Sequence, residues 1–197
     1  MEGLMRLKAM AKINLGLDVL GKREDGYHEV RMIMQTIRMY DILDIRKTRR
    51  PGIVLTTNLP FIPTDQRNLV YKAAQMLMEE FDVEEGLSIK LRKFIPVAAG
   101  MAGGSSDAAA AFVGVNRMFH LGLTEEQLME RAVKVGADVP YCIMRGTALA
   151  EGIGEKLTRL PEVPKCYVLI GKPGINVSTK TAYENLNLEG IGKHPDI

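Results

Sequence analysis

The segment from Pro96 to Ala111, PVAAGMAGGSSDAAAA, combines glycines, paired serines and a run of alanines. It follows an alternating apolar and polar stretch typical of a strand, and its alanines predict a helix over about 105–119. We expect Ser105 or Ser106 to cap this helix and the N–H groups just before it to point outward. Free N–H groups at the positive end of a helix bind anions, and glycine lets phosphate oxygens approach the backbone. Taken alone, the segment fits two interpretations equally well: a phosphate-binding loop, or a helix packed so closely that small residues are required.

Two well-known nucleotide motifs do not describe this segment. No Gly-Lys-Ser/Thr follows the glycines, so the lysine of a P-loop is missing. The order GMAGGS also lacks the G-x-G-x-x-G pattern of a dinucleotide-binding turn. If the segment binds phosphate, its cationic side chain must come from elsewhere in the chain.

Three other places carry residues that could do chemistry. Lys12 and Asn14 share one face of a predicted strand, where a solvated sheet edge is the alternative interpretation. Tyr27 and His28 lie in the turn DGYHE, and loop placement favours a functional role. Asp138 lies between a helix-ending glycine and a proline, where a simple turn-forming role is the alternative.

The periodicity of the rest of the chain predicts the elements that must position these residues. Strands are predicted at 4–21, 53–57, 87–95 and 166–171, and in VPYCIM, TALAEG and EKLTRL. Residues 29–47 predict two further strands hinged near Tyr40 and Asp41. Helices are predicted at 68–83, 105–119, 124–135 and 178–186. Strands that come first, with helices grouped behind them, indicate the α+β class.

The last two predicted elements begin a unit that the chain does not finish. A strand at 166–171 and a helix at 178–186 cannot bury a core of their own. We therefore predict one domain over 1–160 and the incomplete start of a second over 161–197. We expect the chain to be a fragment, or to lack a C-terminal half.

The composition excludes several classes of protein. Of the 197 residues, 46% are hydrophobic and 25% are charged, as in soluble globular proteins, and the net charge of +2 is too small for a nucleic-acid footprint. No stretch approaches the ~20 apolar residues of a membrane span, and the N-terminus does not have the pattern of a signal peptide. Two isolated cysteines fit a reducing compartment, and none of the three histidines has metal-ligand spacing. We expect a cytoplasmic protein, a monomer or weak homodimer, that binds neither nucleic acid nor membrane.

Five segments in order resemble a known group of kinases. They are AKINLGLDVLGKREDGYHE at 11–29, NLVYKAA at 68–74, PVAAGMAGGSSDAAA at 96–110, GADVPYCI at 136–143 and GKPGINVSTKTAY at 171–183. Together they resemble the galacto-, homoserine, mevalonate and phosphomevalonate kinase superfamily. Within it, they look most like the family that phosphorylates a cytidine-diphosphate-linked methylerythritol in non-mevalonate isoprenoid biosynthesis.

The resemblance implies both a fold and a reaction. The fold is an N-terminal domain of the ribosomal protein S5 domain 2-like type, with a mixed sheet and helices on one face, followed by the start of a ferredoxin-like C-terminal domain. The reaction moves the γ-phosphate of ATP, with Mg²⁺, to the 2-hydroxyl of the cytidine-linked alcohol. Asp138 matches the catalytic base of the family, and Lys12 matches the lysine that pairs with this base and with the transferred phosphoryl group.

The resemblance also assigns binding roles. The loop Pro96–Ser106 wraps the triphosphate, with Ser105 or Ser106 near Mg²⁺. The residues matched to the ATP site are Asn68, Leu69, Pro96, Val97, Ala98, Ala99, Gly100, Met101, Ala102, Gly103, Gly104, Ser105 and Ser106. The residues matched to the substrate site are Asn14, Tyr27, His28, Thr179 and Tyr183.

The loop departs from the family pattern, because GMAGGSS stands where the family usually has GLGGGSS. Methionine for leucine at Met101 conserves volume. Ala102 in place of glycine matters only if the backbone there needs a positive φ. Two alternatives remain open: another small-molecule alcohol kinase of the superfamily, and a nucleotide-binding module without activity.

Overall fold

The computed structural model of the protein describes residues 3–174, 179–190, 194–195 and 197. The strands are β1 (Met5–Lys22), β2 (His28–Thr48), β3 (Ile53–Thr57), β4 (Gly86–Arg92), β5 (Thr147–Glu151) and β6 (Lys156–Arg159). The helices are α1 (Leu69–Glu80), α2 (Gly103–Met118), α3 (Glu125–Ala132), α4 (Val139–Met144) and α5 (Thr179–Glu184), with a 3₁₀ turn at Leu188–Gly190.

Strand β2 organises the sheet. β1 pairs antiparallel with it along nearly its whole length. On the opposite edge of β2, β4 pairs with residues 42–48 and β5 pairs with residues 32–35. Residues 37–41 therefore face a gap between two partner strands. β3 pairs parallel with β4, and β6 pairs antiparallel with β5, so the sheet is mixed.

The core lies between this sheet and the helices, with α2 at its centre. Ala108–Ala111, in the middle of α2, are at most 2% exposed. Gly114, one turn later, has no room for a side chain, because a Cβ would lie 2.5 Å from Ile45 Cδ1. Small residues therefore let α2 approach the sheet closely, as the packing interpretation of the alanine run predicts.

Residues 28–48 form one strand, where the sequence predicted two strands hinged near Tyr40 and Asp41. The structure shows that the partner strand changes while the backbone of β2 continues.

The segment VPYCIM forms helix α4, and the prediction of a strand was wrong. Pro140 lies in the first turn of α4, where a helix does not need its missing N–H. In a strand, the same proline would remove a hydrogen bond of the ladder.

The predicted strand at 166–171 is also not formed. Residues 160–173 have no regular secondary structure, and Tyr167 and Leu169 are fully exposed. A strand needs a neighbouring strand for its hydrogen bonds, and none of the described strands pairs with this segment.

None of the helices in the described part of the chain is long and apolar enough to cross a membrane. Both cysteines are unpaired, Cys142 buried and Cys166 exposed.

Candidate active site

A groove of about 1540 Å³ crosses the molecule where β1, the 96–105 loop, the start of α4 and α5 meet. Almost every residue singled out from the sequence lines it. Those lining residues are Lys12, Asn14, Tyr27, His28, Asn68, Leu69, Pro96–Ser105, Asp138 and Tyr183. Ser106 is buried beneath the groove wall. The side chain of Thr179 lies outside the described residues.

One wall of the groove is the N-terminus of α2. The helix begins at Gly103, and its first intrahelical hydrogen bond is donated by Ser106 N–H to Ala102 O at 2.8 Å. The N–H groups of the three residues before Ser106 therefore have no acceptor within the helix. Together with the helix dipole, these N–H groups can bind an anion at the groove.

The predicted serine cap is absent. Ala102 is the N-cap and makes no side-chain hydrogen bond. Ser106 Oγ instead donates to Gly103 O at 3.0 Å, within the helix. Ser105 lines the groove. Ala102 has a left-handed conformation, with φ 52° and ψ 31°, immediately before the helix.

The surroundings of the two glycines at this helix start, Gly103 and Gly104, differ. A Cβ on Gly103 would lie 3.1 Å from Lys93 Nζ and 3.2 Å from Ile95 Cγ2, so a side chain there would force these neighbours to shift by a few tenths of an ångström. A Cβ on Gly104 would meet only Leu69 Cδ1, at an ordinary contact distance of 3.7 Å. Packing within the protein therefore does not require glycine at 104, whereas close approach of a ligand would.

Lys12 and Asp138 face each other across the groove. Lys12 Nζ lies 3.6 Å from Asp138 Oδ1 and donates a hydrogen bond to Asn14 Oδ1 at 3.0 Å. The Lys12 side chain is 6% exposed and that of Asp138 is 34% exposed, so the carboxylate is the more accessible group. Asp138 precedes α4, but its side chain does not cap that helix. Its oxygens are therefore available to a ligand.

Irregularities in β1 accompany the orientation of Lys12 and Asn14 toward the groove. The register with β2 shifts between Met10 and Lys12 and again between Asn14 and Gly16. Lys12 N–H leaves the ladder and donates to Met101 O at 3.2 Å, which ties β1 to the glycine-rich loop. Bulges of this kind often redirect a side chain beside an active site.

Aromatic side chains lie at the other end of the groove. The rings of His28 and Tyr183 stack with centroids 5.0 Å apart and an angle of 24°. Burial raises the pKa of the Tyr183 hydroxyl above its ordinary value. Tyr27, at the tip of the β1–β2 turn, is 60% exposed. This end offers flat π-surfaces to a planar ring.

Asn68 borders the groove, but its side-chain amide has structural partners. Asn68 Oδ1 accepts from Val70 N–H at 2.9 Å, which caps α1. Its Nδ2 donates to Pro63 O at 2.8 Å. These two hydrogen bonds of Asn68 hold the loop around Pro63 against the start of α1. Leu69 follows as the first helical residue.

A buried charge cluster that was not predicted from the sequence lies at the base of the groove. Lys93 Nζ forms ion pairs with Asp41 and, at 2.7 Å, with Asp107 Oδ2. Burial raises the pKa of Asp107 well above its ordinary value, and the charge of Lys93 opposes that rise. The signal in the sequence was Asp107 itself, a charged residue immediately before the alanine run.

Comparison with known proteins is consistent with this geometry. Residues 68–146 match the family described as GHMP kinases N terminal domain. The protein named 4-diphosphocytidyl-2-C-methyl-D-erythritol kinase from Lachnospira eligens is 56% identical over 193 residues, 98% of this chain and 67% of the relative. A protein of the same name from Lachnoclostridium phytofermentans is 57% identical over 194 residues, again 98% and 67%.

Solved structures agree. A crystal structure of 4-(cytidine 5'-diphospho)-2C-methyl-D-erythritol kinase matches with a TM-score of 0.78 and 32% identity, covering 94% of this chain and 65% of that one. A homoserine kinase from Cytophaga hutchinsonii has a TM-score of 0.72 at 19% identity, covering 95% and 61%, and supports the fold alone. These matches confirm the predicted α+β class with a mixed sheet.

The chain spans about two thirds of the length of its curated relatives, 67% for the first two. Over that span, more than half of its residues are identical to theirs. The resemblance drawn from the five segments is confirmed: the chain belongs to the 4-diphosphocytidyl-2-C-methyl-D-erythritol kinase family.

Proposed function

We propose that this chain carries the catalytic groove of a kinase that phosphorylates the 2-hydroxyl of 4-diphosphocytidyl-2-C-methyl-D-erythritol with ATP. The observation that carries the proposal is the Lys12–Asp138 pair, 3.6 Å apart, in the same groove as the uncapped N-terminus of α2. An anion site beside a lysine and an accessible carboxylate is what phosphoryl transfer to an alcohol requires.

The triphosphate of ATP would lie along the loop Pro96–Ser105. Its oxygens would accept hydrogen bonds from the free N–H groups at the start of α2, and Gly104 leaves space for their close approach. Asn68 and Leu69 border the same end of the groove and would face the adenine.

Mg²⁺ would enter with the nucleotide. Among the described residues, no group of three or more His, Cys, Asp or Glu side chains could hold a metal ion. Mg²⁺ usually binds through substrate phosphates, waters and one or two protein groups, so the groove fits this mode. Ser105 lines the groove, and its hydroxyl would be the protein ligand of the ion. The hydroxyl of Ser106 instead donates a hydrogen bond to Gly103 O. When bound, the ion neutralises phosphate charge.

Asp138 would accept the proton of the 2-hydroxyl as the oxygen attacks the γ-phosphorus. The new O–P bond forms while the bond from γ-phosphorus to the β–γ bridging oxygen breaks, and ADP leaves. Lys12, 3.6 Å from the carboxylate, would stabilise negative charge on the phosphoryl oxygens. Asn14 accepts from Lys12 Nζ and holds the ammonium in place.

The cytidine moiety would lie at the aromatic end of the groove. Tyr27, His28 and Tyr183 supply the ring surfaces, and a base stacked on an aromatic side chain gains ~1–3 kcal/mol. Mevalonate and homoserine have no aromatic ring to use such a surface. The aromatic end therefore favours the cytidine-linked alcohol over the other substrates of the superfamily.

The test is a kinase assay that compares the cytidine-linked alcohol with mevalonate. We expect ADP release with the cytidine-linked alcohol only. Turnover of mevalonate alone would support the alternative alcohol kinase, and ATP binding without any turnover would support an inactive nucleotide-binding module.

We further propose that residues 161–197 begin the substrate-side domain and that the protein is cytoplasmic and monomeric or weakly dimeric. The coverage of 67% of the first two curated relatives supports the first proposal, and the two free cysteines support a reducing compartment.

A further inference from the structure

The buried charge cluster formed by Asp41, Lys93 and Asp107 has no place in the mechanism above. We propose that Lys93 is a positioning residue for nucleotide binding: it fixes the first turn of α2, and its charge offsets those of Asp41 and Asp107 beneath the phosphate site. This inference rests on the proposed function, because it concerns how the same groove recognises the phosphates of ATP.

The cluster lies at the gap in the edge of β2. β4 stops pairing with β2 after the Ile42–Arg92 pair. From there on, Asp41 replaces the ladder: its Oδ1 accepts from Phe94 N–H and from Ile95 N–H, the latter at 2.8 Å. The Asp41 carboxylate therefore holds the chain that leads from β4 into the glycine-rich loop.

Lys93 connects that chain to the helix. Its Nζ is bound by Asp41 on one side and by Asp107 Oδ2 on the other, and Asp107 lies one turn into α2. The same Nζ would be 3.1 Å from a Cβ on Gly103. The ammonium group thus lies directly under the residue where α2 begins, at a distance that leaves little space for a side chain on Gly103.

Stability alone is a poor explanation for the cluster. The side chains of Asp41, Lys93 and Asp107 are 0%, 5% and 3% exposed. The free energy needed to remove such charges from water is about as large as the attraction that a buried ion pair gains. Asp107 Oδ1 is buried without a hydrogen-bond partner. A cluster selected only for stability would satisfy this atom or be apolar.

A double variant separates the two explanations. The substitutions Lys93→Met and Asp107→Leu remove two of the three charges of the cluster, and Asp41 keeps its two N–H donors. The Asp41 carboxylate stays buried without its cation, so we expect a lower melting temperature than that of the wild type, with the protein still folded at the assay temperature. We expect the Kd for ADP to rise about 10-fold by calorimetry, and the Kd for CMP to change less than about twofold. An unchanged Kd for ADP in this folded variant would overturn the proposal.

A matched control removes an exposed ion pair of the same type. Arg131 and Glu80 link α3 to α1, away from the groove. Arg131→Met with Glu80→Leu should leave the Kd for ADP within about twofold of the wild type. An equal loss of ADP affinity in the control would mean that any such change weakens binding, and would also overturn the proposal.

A second variant covers failure of the double variant to fold. Asp107→Asn removes one negative charge and keeps a partner for Lys93 Nζ, so the net charge beneath the phosphate site becomes more positive. We expect ADP to bind about two- to threefold tighter. Unchanged or weaker binding would contradict the proposed role of Lys93.

Hydrogen exchange distinguishes failure of this inference from failure of the proposed function. If the wild-type chain binds no ADP, the kinase proposal fails. The positioning role is then judged by the amide of Ser106, which donates to Ala102 O in the first turn of α2. We expect it to exchange about 10-fold faster in the double variant, and an unchanged rate would contradict the role.

Discussion

At the scale of single residues, Ala102 is the position where the loop departs most from its family. Its φ of 52° is in the left-handed region, which costs an alanine about 1 kcal/mol relative to glycine. We expect Ala102→Gly to increase the free energy of unfolding in urea by about that amount. Ala109→Gly, in the interior of α2, is the control and should decrease it by about 1 kcal/mol. Two changes of the same sign would mean that the backbone at 102 is not strained.

Asp138 is predicted to act in chemistry and not in nucleotide binding. It is accessible, it caps no helix, and its nearest cation is Lys12. We expect Asp138→Asn to lower kcat about 100-fold or more, because the amide cannot accept the hydroxyl proton. The Kd for ADP should stay within about threefold. If kcat and ADP affinity fall together, Asp138 is structural.

The two adjacent serines are predicted to differ. Ser105 faces the groove, whereas Ser106 Oγ is bonded within the helix. We expect Ser105→Ala to raise the KM for MgATP about 10-fold, because one ligand of the metal–nucleotide complex is lost. Ser106→Ala should change stability by about 1 kcal/mol and leave that KM nearly unchanged. The reverse pattern in steady-state kinetics would move the metal contact to Ser106.

At the scale of elements, Asp44 joins three strands and should make the stability of the sheet depend on pH. Its carboxylate on β2 accepts from Arg6 Nε on β1 at 2.6 Å and from an Arg92 Nη on β4 at 3.0 Å. The hydrogen bond from Arg6, opposed by burial, holds the pKa of Asp44 below its ordinary value.

The sign of the effect follows from that direction. A carboxylate with a lowered pKa in the folded state adds stability above its unfolded pKa of about 4, and this stability is lost as the pH falls through the folded value. We expect Asp44→Asn to flatten the dependence of melting temperature on pH between about pH 5 and 3. The exposed Glu162→Gln should leave the slope unchanged. Identical slopes for wild type and Asp44→Asn would show that this carboxylate does not contribute.

The helices that begin at a capping side chain, α1 and α3, were predicted correctly. α1 and α3 occupy the expected segments, and the predicted capping box of Thr124 and Gln127 is formed at α3. The signals are local: a capping side chain and the N–H groups that it binds lie within one turn. The segment VPYCIM was assigned wrongly because six apolar residues fit a buried strand or a buried helix equally well.

At the scale of the whole molecule, the groove joins a phosphate end to an aromatic end. Tyr183 on α5 reaches His28 at the start of β2, so residues far apart in the chain build one binding surface. We expect Tyr183→Leu to weaken CMP binding about 10-fold, because a stacking surface is lost. The Kd for ADP should not change, since the phosphate end of the groove remains. Equal effects on CMP and ADP would show that α5 supports the whole groove and has no specific role at its aromatic end.

The sequence by itself determined that a helix follows the glycine-rich loop, that a hairpin turn precedes Tyr27, and that the order of segments resembles a kinase family. These features depend on neighbours in the chain, or on residue types that can be read directly. Only the tertiary structure decided that β2 is continuous across Asp41, that Lys12 meets Asp138, and that Lys93 lies beneath Gly103. The physical reason is that strand pairing and burial join residues far apart in the chain, and whether a charged side chain is buried depends on partners that no local pattern specifies.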